Sequence, residues 1–70
     1  MTRRYQILRT QSGDLQVLTG VTTVGYIYKQ FHGDMLFFRA VFEGVTHIES
    51  KLCTSRKNAY NWIVRQHQNQ

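Results

Sequence analysis

A small antiparallel sheet of four or five strands in a meander, with one C-terminal helix packed on one face, is the α+β fold this sequence predicts. Three observations carry it. Gly and Asp residues punctuate a chain rich in β-formers. Between those punctuation marks, apolar and polar residues alternate as they do in half-buried strands. From about Ser55 to Gln68 the spacing changes to that of a helix. The chain has 70 residues, enough for a single domain spanning 1–70. A domain of that size buries a modest share of its surface and is expected to be marginally stable alone.

The elements follow in order. "RRYQILRT" (3–10) and "LQVLT" (15–19) flank "QSGD", which predicts a hairpin turning at Ser12-Gly13-Asp14. "GVTTVG" (20–25) is either a loop or the start of the next strand with a glycine kink. "YIYKQF" (26–31) and "MLFFRAVF" (35–42), joined by "HGD", form the clearest hairpin. "VTHIESKL" (45–52) alternates as a further strand. Thr54 or Ser55 offers an N-cap hydroxyl to the helix. At 100° per residue Ala59, Trp62, Ile63 and Gln66 share one stripe, which predicts the face that lies on the sheet. Val64 falls near the polar side and is unexplained by that stripe.

The segment 25–44 holds six of the nine aromatic residues. A two-residue turn at Gly33-Asp34 pairs Phe31 with Leu36, Lys29 with Phe38, Ile27 with Ala40 and Gly25 with Phe42 on one face, and directly opposed residues share a face. That face suits the helix, with Gly25 and Ala40 leaving room for Trp62. The other face pairs Gln30 with Phe37, Tyr28 with Arg39 and Tyr26 with Val41. A three-residue loop at Glu43-Gly44-Val45 then sets Ile48 against Ala40 and Leu52 against Leu36, on the helix side. It adds His47, Glu49 and Lys51 to the second face, because a two-residue loop would drive His47 and Glu49 into the core. The second face is thus aromatic and basic together. It predicts one of three things: a surface covered by residues 5–19 or by a second subunit, a stacking platform for bases, or an ordinary solvated face.

Nine Lys and Arg against four Asp and Glu give a net charge of +5, which favours polyanions as partners. Asp14, Asp34 and Glu43 fall at predicted turns, while the cations lie on the elements. The helix opens "TSRKN", with Arg56 and Lys57 in its first turn and no acid anywhere along it. Cations there oppose the helix dipole by about 0.3–1 kcal/mol each. With the free N–H groups they make a candidate phosphate site.

Other chemistry is not legible. There is no phosphate-cradling glycine loop, no acid/base carboxylate pair and no metal-ligand spacing among His32, His47, His67 and Cys53. Along one strand His47 and Cys53 stand about 20 Å apart, too far for a dyad. The sequence therefore reads as a non-enzyme without a cofactor. It has no run of about 18 apolar residues, so no membrane span is expected. Its N-terminus lacks the apolar core of a signal peptide. A single cysteine suits the reducing cytoplasm.

Over about residues 26–65, the order of strands followed by a helix opening "TSRKNAYNW" resembles the three-stranded-sheet-plus-helix DNA-binding modules of plant transcription factors and phage integrase arm domains. Those modules read the major groove with the sheet. The likeness is one of topology and transfers no residue. Similar sizes and element orders occur among small phage-encoded proteins that bind host proteins. The leading expectation is a nucleic-acid-binding protein, for DNA or RNA. Tyr26, Tyr28, Phe37, Arg39 and Lys51 would make the contact on the sheet, and Arg56, Lys57 and Arg65 would hold phosphate. The alternative is a regulatory or inhibitor protein of phage or prophage type that uses the same face against an acidic protein or a second copy of itself.

Overall fold

The computed structural model describes residues 4–70. Five strands and a helix follow one another: β1 (Gln6–Arg9), β2 (Leu15–Thr19), β3 (Thr22–His32), β4 (Met35–Glu43), β5 (Ile48–Cys53) and α1 (Arg56–Gln68). The strands form one antiparallel meander in the order β1-β2-β3-β4-β5, and α1 packs on one of its faces. The fold is the α+β arrangement the sequence predicts. Among the described residues no helix is long and apolar enough to cross a membrane.

Turn chemistry sets the pairing. Gly33 has φ +61°, as the first central position of a type II′ hairpin turn requires, and His32 pairs with Met35 across it. The β3–β4 register is the predicted one through all eight pairs, from Gly25 with Phe42 to His32 with Met35. The segment 20–25 resolves as a turn followed by strand. Opposite it, the β2–β3 ladder shifts between Val17 and Leu18, leaving Val24 as an extra residue on β3. A bulge of this kind resets the side-chain alternation, and it lets Val24 and Gly25 both be buried.

The core lies between sheet and helix. Val17, Val24, Ile27, Ala40, Phe42, Cys53, Ala59 and Ile63 form one buried cluster. Side chains of this kind each contribute about 1.5–3 kcal/mol when fully buried, Ala and Cys less. Ser55 caps the helix, its hydroxyl accepting from the Asn58 N–H at 3.1 Å. Gly25 receives Ile63: a Cβ at this glycine would stand 2.9 Å from Ile63 Cγ2. The position expected for Trp62 therefore belongs to Ile63. Trp62 is half-buried and turned toward β5, where Gln66, with its amide set to suit both neighbours, accepts from the indole and donates to Glu49. On the helix's other flank Tyr5 bonds His67 Nδ1 at 2.8 Å and packs edge-on against Tyr60.

One open alternative is closed and two expectations are corrected. Residues 5–19 do not fold over the second face of the sheet; β1 and β2 extend the sheet sideways instead. Phe31 and Leu36, expected under the helix, are 67% and 38% exposed. The 13 residues of α1 span about 20 Å while the 11 of β3 span about 36 Å, so the β3–β4 tip projects past the helix. The β4–β5 register also differs: Ile48 pairs with Glu43, Lys51 with Ala40 and Cys53 with Phe38. The connection is the longer Gly44–His47 loop, closed by the Gly44 N–H donating to the His47 carbonyl at 2.9 Å. This odd shift turns every β5 side chain over. Glu49, Lys51 and Cys53 join the helix side, and Ile48 and Leu52 join the open face. Desolvation does not prevent it, because β5 is an edge strand on which Glu49 and Lys51 stay exposed while Cys53 reaches the core.

Candidate functional site

The register sorts the predicted site residues onto two surfaces. Tyr26, Tyr28, Phe37 and Arg39 lie together on the open face, as expected. The Tyr26 and Tyr28 rings stack at 6.0 Å between centroids, and Tyr28 is 36% exposed. Arg39 is held flat by neutral partners: its Nε donates to Gln30 Oε1 at 2.6 Å and its Nη1 to Ser50 Oγ at 3.2 Å. Phe37 meets His32 edge to face at 5.3 Å.

Lys51 is not with them. It stands in the Ala40 row, on the helix side, because of the β5 register. The open face thereby keeps Arg39 and loses both Lys51 and Glu49. Burial pushes the Tyr28 phenol above its usual 10.0, with Asp14, then Tyr26 and Glu43, adding to the rise electrostatically. The Asp14 and Glu43 carboxylates thus set a negative potential beside the Tyr28 ring. Of the two cations that the sequence placed on the aromatic face, Arg39 stays there and Lys51 stands on the other side of the sheet.

The cations collect on the helix side. Arg9 and Lys51 share the row that runs through Leu15, Ile27 and Ala40, and Lys29 stands one row closer to the hairpin tip, opposite Phe38. Arg56 lays its guanidinium over the same Phe38 ring, 5.1 Å from the centroid. Lys57 and Arg65 are exposed on the helix. Glu49 is the one acid of the described strands and helix on this side, and its carboxylate lies 3.6 Å from His47 Nε2. Among the described residues, no Lys or Arg lies within ion-pair distance of a carboxylate. Lys51 and Arg65 also line a groove of about 340 Å³ between β5 and α1, together with Asn58, Asn61 and Trp62. The amides and the indole were not singled out from sequence. Their signal is the helix spacing 58, 61, 62, 65, which becomes meaningful only once β5 is placed beside that flank.

Among the described residues no three His, Cys, Asp or Glu side chains come together as a metal site. No protein-family model, curated protein or solved structure matches the chain.

Proposed function

We propose that this is a small nucleic-acid-binding protein that holds phosphates on its helix side. The observation that supports it is the segregation of charge. Arg9, Lys29, Lys51, Arg56, Lys57 and Arg65 are all exposed on one side, with Glu49 as the acid among them. Six cations without carboxylate partners repel one another, and a polyanion relieves that repulsion while releasing counterions. The helix N-terminus adds its free N–H groups beside Arg56 and Lys57. Asn58, Asn61 and Trp62 supply hydrogen bonds and a ring face in the adjoining groove. In this reading Tyr26, Tyr28 and Phe37 take no part.

Titrating labelled DNA and RNA oligonucleotides at several salt concentrations tests it. Engagement of about six phosphates predicts an affinity loss of about three orders of magnitude between roughly 50 and 200 mM salt. Arg56→Gln with Lys57→Gln should lower the salt slope by about two. Tyr28→Ala should leave affinity unchanged, whereas loss of a base-stacking partner would cost about 1–3 kcal/mol. Absence of binding to DNA and RNA at low salt overturns the proposal.

A further inference from the structure

We propose that the open face of the sheet is where two copies of this chain pack together, with Arg39 of each copy set against Glu43 of the other. No described segment covers this face, since the hairpin β1–β2 lies beside it as further strands. It presents Leu8 and Ile48 at 51% and 68% exposure beside half-buried Tyr26, Val41 and Leu52. These apolar side chains stand among Gln16, Ser50, Arg39 and Glu43, and an uncovered face of such mixed make-up is one that a second sheet can bury.

The pattern of the face is complementary to itself. Tyr26, Val41 and Ser50 form one row across β3, β4 and β5. Arg39 and Glu43 stand two residues to either side of Val41, and Leu52 and Ile48 two residues to either side of Ser50. A two-fold axis lying between two facing sheets, along that row, exchanges Arg39 with Glu43 and Ile48 with Leu52. Each exchanged pair is about 13 Å apart within one copy. Facing sheets lie about 10 Å apart, a gap that Arg and Glu side chains bridge when they meet. Among the described residues Arg39 has neutral partners alone, and the exposed Glu43 side chain makes no hydrogen bond or ion pair. Each thus keeps its charge available for the other copy.

The size is adequate. Five strands at about 4.8 Å and some 20 Å along them give a footprint of the order of 500 Å² per copy, near the lower limit for specific interfaces. The expected dimer is therefore one that forms with rising concentration. It turns both helix sides outward, so it neither needs nor blocks the polyanion surface.

Sedimentation equilibrium of the full chain, from micromolar to millimolar protein, tests this without any nucleic acid. The expected result is a mass that rises with concentration to twice the 8.3 kDa of one chain. Glu43→Arg sets arginine against arginine and should weaken dimerisation by about tenfold or more. Adding Arg39→Glu to that variant should restore it. Ile48→Lys changes a residue that is 68% exposed, leaves the core alone, and should also dissociate the pair. Circular dichroism establishes that each variant is folded. A wild-type chain that stays monomeric throughout overturns the proposal, as does a dimer indifferent to Glu43→Arg and Ile48→Lys.

Discussion

Gly25→Ala probes how the helix is seated on the sheet. Gly25 lies in β3 directly across from Phe42, with α1 above it. Its φ is not in the left-handed region, so the glycine is there for space and not for backbone freedom. An added Cβ meets Ile63 Cγ2 at 2.9 Å and Cδ1 at 3.2 Å, and the Val41 carbonyl oxygen closer still. The Ile63 atoms belong to a fully buried side chain and the carbonyl belongs to the neighbouring strand, so neither can swing away. Overpacking of this kind costs about 1–3 kcal/mol. The better strand propensity of alanine returns about 0.5–1 kcal/mol. The net expectation is a loss of about 1–2 kcal/mol, which is a large share of the stability of a chain this size. Urea unfolding followed by circular dichroism should show a midpoint lower by about 1–2 M at an m-value near 1 kcal/mol/M. Ile63→Val removes the Cδ1 contact, so in the Gly25→Ala background it should cost less than its usual figure of about 0.5–1.5 kcal/mol. A Gly25→Ala variant as stable as the wild type would refute this seating of the helix.

Two further outcomes can be checked on the isolated protein. Ser55→Ala removes the acceptor of the Asn58 N–H and should cost about 1 kcal/mol, or about 4–8 °C in melting temperature. Tyr28 should ionise above its ordinary 10.0, and ultraviolet difference spectra of wild type against Tyr28→Phe would isolate its titration. Because its folded pKa is the higher one, the folded state binds the proton more tightly, and this contribution to stability is complete below pH 10.0. It should fade as pH rises through the folded value, and Tyr28→Phe should remove that alkaline loss.

Local rules made much of this fold legible. Gly33 with Asp34 between two alternating runs admits one tight turn, and that turn dictates all eight β3–β4 pairs. The stripe of Ala59, Trp62, Ile63 and Gln66 contains the two buried helix residues, Ala59 and Ile63, and of the two hydroxyls the sequence offered as cap the structure uses Ser55. The β4–β5 register was not legible in the same way. Its loop has no residue that demands one turn type, and desolvation selects a register only where a helix-side position is also a buried one. On β5, an edge strand, that holds at Cys53 alone, and Lys51 and Glu49 stay in water. The candidate site changed with the register: a shift of odd length moved Lys51 from the aromatic face to the cationic one.

The sequence alone therefore determined what depends on short-range chemistry: the Gly33-Asp34 turn, the alternation within each strand, the helix with its acid-free first turn, and the company of Tyr26, Tyr28, Phe37 and Arg39. Only the tertiary structure decided what depends on how elements lie against one another. It made β1 and β2 the flanking strands of the sheet, gave Gly25 to Ile63, left the open face uncovered, and parted Lys51 from Tyr26, Tyr28 and Phe37. The physical reason is that strand periodicity assigns side chains to two faces without saying which face a helix, a neighbouring hairpin or water will take. Packing alone makes that choice, and a single odd shift in register reverses it.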